Sequence, residues 1–267
     1  MNQDKEKRAD EEADDAVSDI ALSPGSNADK SADIAPYISA EIIELYDVYS
    51  YRHAAAVLAT TFPEELKEIE KALLDFRITV RDIGLPGGNE SDMPKKFSRT
   101  LRPAGWVETR IQGDLLVRMQ EYGEQFTGGK ARKIKLPETS PRVIANFIDG
   151  HKIDYVKGRV AFDLEWNSKD QTFDRDLYAL RAFHECGLIS AGVMVTRSAS
   201  LNPVFDKVPQ LDKSGEVTGK SVKAKYGAST TWMGKLLYRL NAGRHGGCPV
   251  LVFGITPRLI SDWSPSS

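Results

Sequence analysis

The sequence predicts an α/β fold, a central mixed β-sheet with helices on both faces, and three observations between residues 151 and 198 predict it. The first is a hairpin. Ile153-Asp154-Tyr155-Val156 is β-prone, and Lys157-Gly158-Arg159 can turn it. Val160 to Trp166 then alternates, with Val160, Phe162, Leu164 and Trp166 on one side and Ala161, Asp163, Glu165 and Asn167 on the other. A period of two marks a half-buried strand. The second is a helix. Asp170 to Asp176 has a helix-start composition, in which Asp170 or Thr172 caps and Asp174 and Asp176 suit the positive end of the dipole. Phe173, Leu177, Leu180 and Phe183 or His184 form its stripe, and Gly187 is a natural stop. The third is the apolar run Ser190–Thr196. Strand, helix, strand in that order implies a right-handed crossover and a parallel pair.

The hairpin also carries the chemistry. Asp163 and Glu165 share a face, and a turn through Gly158 brings Asp154 beside them. Neighbouring carboxylates resist ionising together unless a cation stands between them. Three acids converging from strands therefore point to a hard divalent cation, for which oxygen donors and water suit Mg²⁺. Such a cation can clamp a phosphodiester, activate a water and stabilise the leaving oxygen. A salt-bridged or solvent-facing strand edge is the bland alternative.

The runs IDYV…VAFDLEWNSKDQTFDRDLYALRAF…VTRS and TTWMGKLLYRLNAGRHGGCPVLVFGI carry a longer signal. With D-x8-D-x-E on the hairpin, the chain resembles the BglII/BstYI (BamHI-like) group of type II restriction endonucleases, within the PD-(D/E)xK nucleases, over about residues 37–258. The resemblance implies a restriction-endonuclease-like fold and Mg²⁺-dependent, site-specific cleavage of palindromic double-stranded DNA, with a GATC-centred site and 5′-phosphate ends. It implies a homodimer, a cognate DNA methyltransferase as functional partner and a bacterial cytoplasm. Carried over, Asp154 and Asp163 hold the metal with the Leu164 carbonyl, and Glu165 stands where the wider superfamily has Lys. Ile153 replaces the motif's proline. The general base stays open among Glu165, a second metal-bound water and Lys169. Glu138 falls where this branch has a further active-site residue, and capping a helix at Pro141 is its other reading. Ser168, Arg197, Ser198, Ser229 and Thr230 are candidate base readers, because loops after the core strands should face the major groove.

Composition agrees. The chain has 267 residues, a net charge of −2 and two cysteines, Cys186 and Cys248, too few for a disulfide framework or a zinc site. There is neither an apolar run long enough for a membrane nor a signal-peptide pattern, so the chain reads as cytoplasmic with no membrane partner. Charge is uneven. Residues 1–36 hold 10 acids and 4 bases, whereas Arg197 to Gly247 holds 9 bases and 3 acids, an excess suited to phosphate. The histidines have no zinc spacing, the Gly243–Gly247 turn is no nucleotide loop, and Ser198 and Ser200 lack evident triad partners.

In chain order, residues 1–36 carry almost no large apolar groups and are expected to form a disordered acidic tail, with 37–267 one catalytic and DNA-binding domain. Ile38–Thr61 is expected to be helical, and Pro63 opens a helix with Leu66, Ile69, Leu73 and Phe76 inward. Residues 77–80 read as strand and 91–100 as a polar loop whose Lys95, Lys96, Arg99 and neighbouring Arg102 can meet DNA. Gly105–Ile111 and Arg132–Leu136 alternate as strands, Tyr122–Lys130 is a loop, and Pro141–Phe147 a helix. A long polar stretch follows Arg197, then a helix at Trp232–Leu240 and a strand at Pro249–Ile255. Two other functions remain: a DNA-binding module that has lost cleavage, and a structure-directed repair nuclease.

Overall fold

A computed structural model describes residues 24–86, 92–227 and 229–264. The described residues divide into two compact units, one made of those up to 109 with those from 153 onward, the other of residues 110–152.

In the larger unit the helices are α1 (Ser31–Ile34), α2 (Ala40–Leu45), α3 (Ala54–Thr61), α4 (Pro63–Asp75), α5 (Val80–Gly84), α6 (Asp92–Leu101), α7 (Thr172–Glu185), α8 (Asn202–Lys207) and α9 (Met233–Asn241). Its strands are β1 (Tyr46–Tyr51), β2 (Val107–Arg110), β7 (Lys152–Lys157), β8 (Val160–Glu165), β9 (Ala191–Arg197), β10 (Pro209–Leu211), β11 (Val217–Ser221) and β12 (Val250–Ile255). The smaller unit holds β3 (Gly113–Val117), β4 (Tyr122–Thr127), β5 (Lys130–Lys135) and β6 (Arg142–Ile148).

The central sheet runs β1-β12-β9-β8-β7-β2. β8 and β12 lie parallel to β9, while β7 is antiparallel to β8 and β1 to β12. The sheet is therefore mixed, as the strand–helix–strand pattern required. Gly158, at φ +53°, turns the β7–β8 hairpin. α7 crosses from β8 to β9 and lies so close that a Cβ on Gly192 would stand 2.7 Å from the Leu180 side chain. Only glycine admits that approach.

Burial departs from the expected half-buried strand. Every residue of β8 is buried, Asp163 and Glu165 included. Val160, Phe162, Leu164 and Trp166 join the main apolar cluster. The other face is covered by α7, because a parallel strand in the middle of an α/β sheet has helices on both sides.

Several elements correct the sequence reading. Tyr46–Tyr51 is an antiparallel strand on β12, not helix. Its aromatic residues favour a pleated surface more than a helix. Residues 77–80 give only an isolated bridge at Ile78 to Ile260 before the Thr79 capping box opens α5. The expected polar loop after residue 91 is α6, whose Met93, Phe97 and Leu101 are buried. The expected disordered tail is not met over residues 24–36: Ile34 is 5 % exposed, and Asp29 accepts hydrogen bonds from Ser50 Oγ at 2.5 Å and His53 N at 2.9 Å. Residues 1–23 lie outside the described residues. The polar stretch after Arg197 folds as α8, β10 and β11.

The smaller unit contains two antiparallel pairs, β3–β6 and β4–β5. Tyr122–Thr127 is thus strand rather than loop, and the segment expected as a helix at Pro141–Phe147 is β6. Among the described residues, no helix is long and apolar enough to cross a membrane.

Candidate active site

β7 and β8 bring the three predicted acids together. Tyr155 pairs with Phe162 and Val156 with Ala161, a register that continues to Asp154 opposite Asp163. Asp154 is exposed, whereas Asp163 and Glu165 are 6 % and 7 % exposed. The carboxyls of Asp154 and Asp163 are in hydrogen-bonding contact, and Asp163 Oδ1 also accepts from the Leu164 amide at 3.0 Å.

A fourth acid joins them from α7. Asp176 is 2 % exposed, and its carboxyl lies within hydrogen-bonding reach of Glu165. Asp176 Oδ1 accepts from Arg175 Nε at 3.1 Å and Nη2 at 2.9 Å, while its buried Oδ2 has no partner. Arg175 Nη2 also stands 3.7 Å from Glu165 Oε1. The sequence reading places Asp176 only at the positive end of the helix dipole, apart from the acids of the hairpin. The overlooked signal is spacing: Phe173, Asp176, Leu177 and Leu180 are three and four apart, so Asp176 occupies a position of the buried stripe.

Electrostatics follow from this crowding. Burial, then Asp176, Asp154 and Glu165, push the Asp163 carboxyl well above the usual range. Burial and then Asp176 push Glu165 up, against the hydroxyl of Ser168 and the charge of Arg175. Burial also raises Asp176, with Arg175 opposing. The cluster is short of positive charge.

Asp154, Leu164, Glu165 and Ser168 line a cleft of about 910 Å³. α6 supplies its other wall with Lys95 and Ser98, continued by Arg102. Ser98 Oγ and Tyr155 Oη share a hydrogen bond at 2.7 Å, and the Arg102 guanidinium lies 4.4 Å from the Tyr155 ring centre. Lys225 also reaches the cleft, but its Nζ donates to the carbonyls of Ile83, at 3.1 Å, and Leu85. Burial pushes that ammonium down to about 8.

The remaining predicted residues separate. Arg197 is 1 % exposed and donates to the Trp166 and Thr231 carbonyls and the Thr230 hydroxyl, with Phe205 and Tyr226 against its plane. Ser198, equally buried, donates to Asp47. Both are committed inside the fold, which removes them as base readers in this conformation. Ser168 and Thr230 are half-buried and Ser229 is exposed. They share one edge, because Asp170 N donates to Ser229 O at 3.0 Å and Thr231 N to Ser168 O at 2.8 Å. Lys169 is exposed and bridges Thr230 through backbone, outside the cleft lining. Glu138 is exposed in the smaller unit, and with β6 in place of a helix its capping alternative falls away.

A mixed sheet with acids at the hairpin where two parallel strands meet an antiparallel one belongs to the restriction-endonuclease-like class of α/β proteins. The particular membership comes from comparison: the restriction endonuclease BglII/BglIII family model matches residues 46–255, and the chain belongs to that family. It is accordingly a type II site-specific deoxyribonuclease. No curated protein matches the chain.

Proposed function

We propose that the protein cuts both strands of a palindromic duplex in a Mg²⁺-dependent reaction on the Asp154, Asp163 and Glu165 carboxyls. The observation that carries this is the convergence of those acids from adjacent strands, with Asp154 and Glu165 lining a cleft that Lys95 and Arg102 also line. The donor set suits the ion. Asp154, Asp163 and the Leu164 carbonyl offer hard oxygens only, and the orphaned Asp176 Oδ2 reflects missing positive charge. Among the described residues no three acidic, histidine or cysteine side chains form a ready-made metal cage. Mg²⁺ needs none, because it keeps several waters and takes one or two carboxylates with substrate phosphate. When bound, it supplies a Lewis acid for the phosphodiester and lowers the pKa of a water.

The chain's own residues do the rest. Lys95 and Arg102 neutralise strand phosphates and hold the scissile group over the acids. Glu165, oriented by Ser168, takes the proton of the attacking water. In-line attack leaves a 5′-phosphate and a 3′-hydroxyl. Ser168, Ser229 and Thr230 meet base edges, two copies match the two-fold axis of a GATC-centred site, and a methyltransferase protects host DNA in the bacterial cytoplasm. Calorimetry with Mg²⁺ and gel shifts test this. Asp154→Ala should lose the heat of Mg²⁺ binding and all cleavage yet still shift duplex DNA. Cleavage by Asp154→Ala at the wild-type rate would sink the assignment.

A further inference from the structure

Asp176 is neither a metal ligand nor a catalytic group in the reading above, although its placement is costly. A buried carboxylate needs compensation for lost hydration. Only one of its oxygens finds it, in the two hydrogen bonds from Arg175. The other oxygen is buried without a donor. The same Arg175 Nη2 stands 2.9 Å from Asp176 and 3.7 Å from Glu165, so one guanidinium spans both acids.

We propose that Asp176, held by Arg175, is a positioning residue that fixes the orientation of the Glu165 carboxyl toward the attacking water. The geometry is that of an acid on the strand backed by an acid on the covering helix. Ser168, from the segment between β8 and α7, contacts Glu165 as well, so Asp176, Arg175 and Ser168 surround one carboxyl. Without Asp176 the Glu165 side chain remains in place but loses the neighbour that fixes its direction. A misdirected base slows the chemical step more than it weakens substrate binding. A purely structural Asp176 would instead act on stability alone.

The inference rests on the nuclease reading, and the experiment separates the two. Single-turnover cleavage of a duplex carrying the site is followed from pH 6 to 9 for the wild type and Asp176→Asn, with gel-shift affinity, Mg²⁺ calorimetry and thermal unfolding in parallel. Asp176→Asn should bind DNA and Mg²⁺ within about threefold of wild type. Its cleavage rate at saturation should fall roughly 30-fold or more, with an altered pH–rate profile. In a Glu165→Gln background, adding Asp176→Asn should cost less than threefold further, because the two act as one unit. A cooperatively folded Asp176→Asn that cuts within threefold of wild type overturns the proposal. So does a parallel loss of Mg²⁺ affinity, which would make Asp176 a ligand. If Asp176→Asn does not fold, Arg175→Gln, altered at a more exposed side chain, should show the same loss of rate at unchanged DNA affinity, and an unimpaired rate there overturns the proposal too. Wild-type protein that cuts no duplex defeats the nuclease reading itself, and this inference falls with it.

Discussion

Arg197 donates from Nε to the carbonyl oxygen of Trp166 at 2.8 Å, tying the end of β9 to the residue that follows β8. The same guanidinium donates to Thr231 O at 2.7 Å, so the segment after the acids is joined to the start of α9 through one buried cation. Burial pushes Arg197 down to about 10, and the fork of hydrogen bonds is what keeps the charge tolerable. The position of Ser168, and with it one contact to Glu165, depends on this clamp.

Arg197→Met should therefore destabilise rather than alter site choice. It leaves the Trp166 and Thr231 carbonyls without this donor, at a cost of about 3 kcal/mol. Arg197→Lys should recover less than half of that, because an ammonium cannot reproduce the fork. Thermal unfolding checks both variants, and an unchanged melting temperature in Arg197→Met would refute the clamp.

Much of this was legible in the sequence. The β7–β8 hairpin, α7 and the parallel β9 follow from alternation and stripe, because those signals are local. What escaped depends on packing at a distance. Tyr46–Tyr51 is strand because it has β12 to pair with. α6 looked polar because only Met93, Phe97 and Leu101 of its face turn inward. Arg197 was expected to face DNA since it follows a core strand, yet its neighbours at Trp166 and Thr231 are more than 30 residues away in sequence. Asp176 escaped for the opposite reason: its signal is local, a place in the stripe of Phe173, Leu177 and Leu180, but an acid in a helix's first turns is ordinary and draws no notice.

The raised carboxyls of Asp163, Glu165 and Asp176 make stability depend on pH. Each binds protons in the folded protein at pH values where the unfolded chain has released them. Their contribution should be full below about pH 4 and decline as pH rises through the raised values. In EDTA, the wild type should lose more melting temperature between pH 5 and 8 than Asp163→Asn, by several degrees. The depressed His245 acts in the opposite sense, but it is common to both proteins and cancels in the difference. Millimolar Mg²⁺ at pH 8 should restore the wild type selectively.

Lys95 and Arg102 should serve phosphate rather than sequence. Changing either to Ala should weaken binding to specific and unrelated duplexes alike and lower the salt slope of log K by about 1. A loss confined to the preferred site would instead mark a base contact.

Residues 24–36 should matter to the fold. Truncation after residue 36 removes the buried Ile34 and the Asp29 contacts to Ser50 and His53. Ile34→Ala alone should cost about 2 kcal/mol or more. Urea unfolding of the two truncations, after residues 23 and 36, should rank the longer chain as more stable.

The most direct measurement is a digest of unmethylated phage DNA by the purified protein, with Mg²⁺ or with EDTA, followed by sequencing of the fragment ends. The expected result is a set of discrete, Mg²⁺-dependent fragments whose ends share one palindrome and carry 5′-phosphate, none of them produced by Asp163→Asn. Fragments with no common sequence, or equal cutting by Asp163→Asn, would contradict a site-specific reaction centred on these carboxyls.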